Sequence, residues 1–251
     1  MKTGLVSISF RSLSPMEIIE LTCKSGLSCI EWGGDVHVPA GDLSRAREVA
    51  AATRGHGLEV ACYGSYDRLT EPETAAQVVE TARELGAPLI RVWAGRLGSA
   101  DADEAYRALI VRNARHMADL AAEAGMDVAF EYHGGTLTDS ADSALALLKA
   151  VDRPNMYTLW QPPVEHTAEQ CVSAIRTVAP YIRNVHVFSW KNAERLPLAD
   201  GAAKWRECLR EIEKLPGEHR LMMEFVRGDQ PEQLITDAAC LHDWLEGRWN
   251  L

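Results

Sequence analysis

The chain has 251 residues, of which 47% are hydrophobic and 25% are charged, and its net charge is −10 at pH 7. This length fits one large domain, because an α/β barrel of this size normally counts as a single domain. The composition excludes a disordered or fibrous protein. The negative charge disfavours a nucleic acid partner, since it repels a phosphate backbone.

The cysteines and the N-terminus bear on where the protein resides. The six cysteines are scattered and contain no CxxC pair, which indicates free thiols in a reducing compartment. The first ten residues, MKTGLVSISF, lack the long apolar region of a signal peptide. No window approaches 18 uninterrupted apolar residues, so no membrane span is predicted. We therefore expect a cytoplasmic protein without a membrane partner.

Eight short apolar runs alternate with longer segments of helical periodicity, which is typical of repeated βα units. The runs recur at intervals of roughly 30 residues, as such units require. The predicted strands are Leu5–Phe10, Cys29–Trp32, Leu58–Tyr63, Leu89–Trp93, Val128–Tyr132, Met156–Trp160, Ile182–Phe188 and Arg220–Val226. No linker or composition shift divides the chain, so we predict one (β/α)8 TIM barrel over residues 1–251. An open doubly wound sheet is the alternative, but the glycine-rich loop it usually carries after its first strand is absent.

Capping signals mark the predicted helix ends. Four segments have a capping-box pattern, in which a side chain and a Glu or Gln three residues later bond the free backbone N–H groups. They are residues 14–17, 70–73, 167–170 and 229–232. Glycines that favour a left-handed residue at helix ends precede several strands. They are Gly26, Gly57, Gly86 and Gly125.

Polar side chains that can bind metal recur at the ends of predicted strands five to eight. They are Glu131, His133, Gln161, His186 and Glu224. Glu131 and His133 point the same way because alternate residues of a strand share a face. Carboxylates buried in a barrel need a cation or an ion pair, and one shared divalent ion would serve several strands. Such ligands suit Mn²⁺ first, with Mg²⁺ or Co²⁺ as alternatives and Zn²⁺ as a less specific fit.

Each of these residues, taken singly, could instead be a hydrogen-bonded structural residue. The recurrence over four consecutive units favours the metal interpretation for Glu131, His186 and Glu224. Gln161 is the weaker candidate, because an amide is a poor ligand and could equally bind substrate.

Aromatic and basic residues near the same strand ends are candidate substrate contacts. Trp93 and Trp160 could present an aromatic wall to a sugar, with ordinary barrel packing as the alternative for each. Arg91 and Arg227 could bind a substrate carboxylate or phosphate. A structural salt bridge to a barrel glutamate is their alternative.

Five segments resemble the xylose isomerase-like TIM-barrel family of sugar isomerases and epimerases over essentially the whole chain. In chain order they are IEWGGDVH, IRVWAG, AFEYHGGTLTDS, NVHVFSW and MEFV. In that family, strands five to eight supply a glutamate, an aspartate, a histidine and a glutamate to a divalent metal. The resemblance implies Glu131, Gln161, His186 and Glu224 as the ligands. It also implies that Glu131 and Glu224 exchange the substrate proton, and that Glu31 and His133 bind the substrate or support the ligands.

The chain departs from the family pattern after strand six. Gln161 stands in place of the aspartate and Val164 in place of the histidine that follows three residues later. His166 could replace that imidazole if the Pro162–Pro163 turn redirects the loop. The segments SISFRS, RVWAGRLGSAD and TLTDS also resemble the 3-dehydroshikimate dehydratase branch of the superfamily.

The predicted function is that of a divalent-metal-dependent sugar isomerase or epimerase acting on a small polyhydroxylated carbonyl compound. In this reaction a metal stabilises the enediolate that forms when a C–H proton leaves. A dehydratase of the 3-dehydroshikimate type shares that step and is the alternative, and a non-catalytic sugar-binding barrel is a further one. A DNA repair nuclease of the same superfamily is disfavoured, because Tyr63 and Trp93 occupy strand ends where it needs histidines. Homo-oligomers through the RLGSADADEAY and SWKNAERLP loops are also expected.

Overall fold

The computed structural model describes residues 1–249 and contains a closed barrel of eight parallel strands. The barrel strands are β1 (Lys2–Val6), β2 (Cys29–Gly33), β3 (Glu59–Gly64), β4 (Leu89–Val92), β5 (Asp127–Glu131), β6 (Met156–Trp160), β7 (Ile182–Val187) and β10 (Arg220–Met223). The short strands β8 (Trp190–Lys191) and β9 (Glu194–Arg195) form an antiparallel hairpin after β7. The ring closes because β1 pairs with β2 on one side and with β10 on the other. The predicted TIM barrel is confirmed.

Within residues 1–249, eight helices cover the outside of this barrel. They are α1 (Pro15–Lys24), α2 (Leu43–Gly55), α3 (Ala75–Leu85), α4 (Glu104–Glu123), α5 (Ala141–Val151), α6 (Ala168–Val178), α7 (Ala202–Ile212) and α8 (Pro231–Leu245). Their apolar faces and the outward faces of the strands form the main hydrophobic core. No helix within residues 1–249 is both long enough and apolar enough to cross a membrane. All six cysteines are free thiols, as expected.

A small apolar cluster supports the interior of the barrel. Cys62, Leu89, Ala129 and Leu159 are buried together, apart from the main core. Ala129 and Leu159 each lie two residues before a polar candidate, Glu131 and Gln161. Because alternate residues share a face, the candidates lie in the layer above this cluster, towards the carboxyl ends of the strands.

The first predicted strand has the wrong bounds. The strand covers Lys2–Val6, and Ser7–Phe10 form a 3₁₀ turn. Ser7 and Ser9 use their side chains in this turn, because Gly33 N donates to Ser7 Oγ and Phe225 N donates to Ser9 Oγ. The serines therefore join loops around the barrel mouth.

The capping predictions are confirmed at two of the four segments. Ser14 with Glu17 and Thr167 with Gln170 form reciprocal capping boxes. Thr70 caps no helix, because a 3₁₀ turn over Pro72–Thr74 precedes α3. The residue before α8 is Gln230, so Asp229 is not its cap.

The predicted glycines at helix ends adopt the left-handed conformation. Their φ values lie between +68° and +76° at Gly26, Gly57, Gly86 and Gly125. The prediction of one domain over residues 1–251 stays a prediction, and residues 250 and 251 lie outside the described part of the chain.

Candidate metal centre and catalytic cavity

Three predicted metal ligands converge at the mouth of the barrel. Glu131 ends β5, His186 lies in β7 and Glu224 follows β10. Each offers one ligand atom, and the three atoms lie within 4.8 Å of one another. All three side chains are buried. Two carboxylates and an imidazole at this spacing form a donor set that could hold a divalent cation.

Gln161 connects two of these residues. Its Oε1 lies 3.3 Å from His186 Nδ1, and its Nε2 donates to Glu131 Oε1 over 3.3 Å. The amide oxygen therefore faces the same space as the imidazole nitrogen. The amide oxygen of Gln161 could therefore be a fourth metal ligand, although it lacks the negative charge of an aspartate.

Glu31 fixes the orientation of the His186 ring. Its Oε2 lies 3.2 Å from His186 Nε2, whereas His186 Nδ1 lies 3.4 Å from Glu224 Oε2. A proton on Nε2 bonds Glu31 and leaves the Nδ1 lone pair for a metal, which is a common arrangement at protein metal sites. Without a cation, burial lowers the pKa of His186, but Glu224 and Glu31 outweigh burial and raise that pKa to about 10.

Arg91 is the buried counter-charge of the cluster. Its Nε forms an ion pair with Glu31 Oε1 at 2.8 Å, and its Nη1 pairs with Glu131 Oε2. Burial opposes the charges on both partners. The pKa of Glu31 is nevertheless lowered, because the attraction of His186 and Arg91 outweighs desolvation. The two carboxylates outweigh burial at Arg91 and hold the pKa of the guanidinium well above its usual range. Arg91 thus helps to keep Glu31 ionised inside the barrel.

The residues at hand fit a divalent ion. Within the described residues, three negative carboxylates (Glu31, Glu131 and Glu224) face one permanent cation, Arg91. A protonated His186 offsets only one of the two remaining negative charges. A metal cation would replace that proton, and Glu131, Gln161, His186 and Glu224 would hold it.

A cavity of about 530 Å³ opens over this cluster. His133 and Trp93 line it, with ring centroids 4.3 Å apart. Tyr66 lies beside Trp93 and under the Arg91 guanidinium, whose carbon is 4.7 Å from the Tyr66 ring centre. The opposite side has three aromatic rings, Phe188, Trp190 and Phe225. The cavity therefore combines aromatic walls with a polar floor, as small-molecule sites commonly do.

Two of these aromatic residues have unusual backbone conformations. Tyr66 has a φ of 59° and Phe225 has a φ of 54°. Both values lie in the left-handed region, which residues other than glycine rarely adopt. The bond from Phe225 N to Ser9 Oγ (2.9 Å) holds the second turn. The turn lets Glu224 and Phe225 both face the cavity, although consecutive strand residues would face opposite sides. Such conformations are found mainly at functional sites.

Three predicted substrate contacts lie elsewhere. Trp160 is fully buried behind the barrel, edge-on to Trp205 of α7, because Leu159 and Gln161 take the inward positions of the strand. Arg227 is exposed and donates to Gln233, since the chain turns away after Phe225. Glu31 bonds Arg91 and His186 below the cavity and does not line it. Trp160 therefore has the position expected from its barrel-packing alternative, and Arg227 lies outside the cavity. The position of Glu31 fits the second expectation for it, support of the metal ligands, and the roles of all three residues stay predictions.

His133, Trp93 and Arg91 line the cavity as expected in position, and their roles stay predictions. Arg91 has its guanidinium engaged by two glutamates, which matches the salt-bridge alternative. Sequence reasoning missed the cavity residues Tyr66, Phe188 and Phe225. Tyr66 lies in the segment GSYDRLTEP after strand three, and nothing in the sequence of that segment signals the left-handed turn that brings Tyr66 inward.

Comparisons with known proteins agree with this architecture. A 3-dehydroshikimate dehydratase of Bacillus anthracis is 24% identical over 248 residues, covering 84% of this chain and 87% of that protein. The crystal structure of a probable 3-dehydroshikimate dehydratase of Bacillus anthracis, involved in petrobactin synthesis, superposes with a TM-score of 0.82 at 24% identity. It covers 96% of this chain and 99% of that one.

A D-psicose 3-epimerase from Clostridium cellulolyticum H10, solved with D-tagatose, has a TM-score of 0.74 at 16% identity over the full length of both chains. At these identities the likeness to solved structures concerns the fold. The sequence profile of the family described as xylose isomerase-like TIM barrel matches residues 19–244, most of the chain. The chain therefore belongs to the xylose isomerase-like TIM barrel family.

Proposed function

We propose that this protein is a divalent-metal-dependent sugar isomerase or epimerase that moves a proton on a polyhydroxylated carbonyl substrate. The observation that carries the proposal is the pair Glu131 and Glu224. These carboxylates come from opposite parts of the ring, β5 and the end of β10, and line one cavity. A substrate between them would present a C–H bond to one and the opposite face of the same carbon to the other.

The two glutamates would act as a base and an acid. One removes the proton from the substrate carbon, and the other returns a proton to the opposite face or to the adjacent carbon. Arg91 pairs with Glu131 Oε2, whereas Glu131 Oε1 accepts one hydrogen bond from Gln161 Nε2 and keeps a second lone pair that could accept a proton. A bound divalent cation would supply Lewis acidity towards a substrate carbonyl or hydroxyl oxygen. Glu31 and Gln161 would keep His186 and Glu131 oriented throughout.

The charges of the cavity favour a neutral substrate. The two arginines that line it are already paired, Arg11 with Asp35 and Arg91 with Glu31 and Glu131. Asp139 adds a further carboxylate to the lining. A free sugar would find hydrogen-bond partners and aromatic faces here without needing a separate cationic group.

The dehydratase is the second candidate, and the similarity to the Bacillus anthracis dehydratase favours it. His133 offers a base for that reaction, because it lines the cavity beside Trp93 and its Nδ1 lies 2.7 Å from Gly134 O. Nδ1 would carry the proton in that contact, which leaves Nε2 as the basic nitrogen. Removal of a proton and loss of the β-hydroxyl would release water.

The experiment is a screen of the Mn²⁺-loaded protein in deuterated water, followed by NMR. The panel contains ketoses, aldoses, inososes, 3-keto sugars and 3-dehydroshikimate. We expect deuterium at one carbon of a neutral sugar, with an epimer or an isomer as product. Loss of water from 3-dehydroshikimate would establish the dehydratase instead. Absence of exchange in every substrate would contradict both and favour a non-catalytic sugar-binding barrel.

The other predictions concern the setting of this reaction. Manganese as the metal, a homo-oligomer and a cytoplasmic location remain proposals. We also propose that the protein binds its small-molecule substrate as a partner, and that it binds neither nucleic acid nor a membrane. Elemental analysis of the purified protein and light scattering at micromolar concentration would test the metal and the oligomer.

A further inference from the structure

A second cavity adjoins the catalytic cavity at the mouth of the barrel. It has a volume of about 360 Å³, within the range of small-molecule sites. Pro162, Val164, Phe188 and Trp190 line both cavities. The second cavity then extends past the end of β7 towards the first turn of α7. A ligand seated on the proposed catalytic residues could therefore continue into it along the Phe188 and Trp190 rings.

The second cavity is lined with polar side chains that are free to bind a ligand. Four of them, His166, Ser189, Lys191 and Asp200, make no side-chain hydrogen bond or ion pair to another residue in the described range 1–249. Lys204 makes one weak contact, from its Nζ to Val164 O at 3.3 Å. The glutamates of the catalytic cavity, by contrast, are engaged by Arg91, Gln161 and His186.

The charges of this lining argue against an anionic ligand. Two ammonium groups, Lys191 and Lys204, are offset by two carboxylates, Glu165 and Asp200. A phosphate or carboxylate would gain from the lysines but would face the acidic groups. The lining instead combines hydrogen-bond donors, hydrogen-bond acceptors and aromatic rings. This combination suits a ligand with many hydroxyl groups, because each hydroxyl group both donates and accepts a hydrogen bond.

We propose that this cavity binds a second sugar ring, so that the substrate is a glycosylated carbonyl sugar, larger than a monosaccharide. The inference rests on the proposed function, because it takes the reacting ring to lie at Glu131 and Glu224. His166 and Asp200 contact the second ring through its hydroxyl groups. The shared Phe188 and Trp190 rings lie under the link between the two sugars.

The test measures binding separately from reaction. D-Fructose is compared with the ketose disaccharides maltulose, lactulose, isomaltulose and turanose by calorimetry on the Mn²⁺-loaded full chain. At least one disaccharide is expected to bind about tenfold more tightly than fructose, since each added hydrogen bond contributes roughly a factor of two to ten. The double variant His166→Ala/Asp200→Ala should lose most of that gain and keep the fructose affinity. Glu123→Ala, on the exposed end of α4, is the matched control.

Any one of three outcomes would overturn the inference. The first is that no disaccharide binds more tightly than fructose, and the second is that the double variant weakens the binding of fructose and of disaccharides equally. The third is that fructose 6-phosphate binds more tightly than every disaccharide. The fructose affinity of the double variant also reports whether it folds. Tight disaccharide binding without deuterium exchange would refute the proposed reaction alone, whereas exchange on fructose with no preference for disaccharides would refute this inference alone.

Discussion

Glu31 contacts the proposed metal ligand His186 on one side and Arg91 on the other, without lining the cavity. Glu31→Gln removes the charge that orients the ring and leaves Arg91 with one partner. We expect Mn²⁺ affinity to fall by about 10- to 100-fold, as is typical when a residue supporting a metal ligand is changed. Calorimetric titration with Mn²⁺ measures this.

Glu59→Gln is the control for that change. Glu59 begins β3 at the opposite end of the barrel and forms an exposed ion pair with Lys2. Equal Mn²⁺ affinity in Glu31→Gln and Glu59→Gln would mean that Glu31 does not support the metal ligands.

The proposed acid–base roles of Glu131 and Glu224 lead to a direct kinetic prediction. Glu131→Gln and Glu224→Gln should each lower kcat by at least about 100-fold at saturating metal, because an amide cannot transfer the proton. Gln161→Ala should act mainly on metal or substrate affinity. Steady-state kinetics at several Mn²⁺ concentrations separate the two effects. If both glutamine variants keep near wild-type kcat, another base is needed, and His133 is the first to test.

Metal binding should depend on pH through His186. Its pKa of about 10 in the metal-free site means that the ring is protonated at neutral pH, and a metal must displace that proton. Apparent Mn²⁺ affinity should therefore rise about tenfold per pH unit between pH 6 and pH 8, with release of about one proton. Titrations in buffers of different ionisation enthalpy count the protons. An affinity that stays constant over this range would rule out a protonated His186.

At the residue scale, strand alternation predicted part of the site and could have predicted more. It brings Glu131 and His133 to one side, and both line the cavity. The same alternation puts Trp160 outside, since it lies between the inward Leu159 and Gln161. The contacts of Arg91 with Glu31 and Glu131 depend on which strands are neighbours and how far they are staggered, so one sequence could not reveal them.

At the scale of the element, the helix caps give a matched pair of variants. Ser14 accepts from Glu17 N and caps α1, whereas Thr70 has the same sequence pattern and caps no helix. Ser14→Ala should lower the free energy of unfolding by about 1 kcal/mol, and Thr70→Ala by less than half of that. Urea denaturation measures both. Equal losses would show that the sequence pattern outweighs the observed turn.

The elements were predicted well where periodicity is long and poorly where side chains act locally. All eight barrel strands lie at or near the predicted runs. The errors are at the ends. Residues Ser7–Phe10 form a turn because their serine side chains accept hydrogen bonds from loop backbone N–H groups. The β8–β9 hairpin is too short to produce a recognisable sequence pattern. These segments surround the cavity, so the sequence was least informative where the site is built.

At the scale of the whole molecule, closure of the barrel brings distant residues into one site. Glu31 and His186 are 155 positions apart in the chain, yet their side chains are in contact. Neither the sequence spacing nor any local pattern contains this pair, although the eight βα repeats predict the ring that creates it. The acidic cluster, its arginine and its histidine together form the proposed metal centre.

The most direct test of that centre is anomalous diffraction from crystals soaked in Mn²⁺. We expect one strong peak at the mouth of the barrel, within roughly 2.0–2.6 Å of oxygens of Glu131, Gln161 and Glu224 and of His186 Nδ1. The peak should weaken in Glu31→Gln and stay unchanged in Glu59→Gln. A map without a peak at these residues under saturating Mn²⁺, or with its only peak elsewhere, would contradict the account.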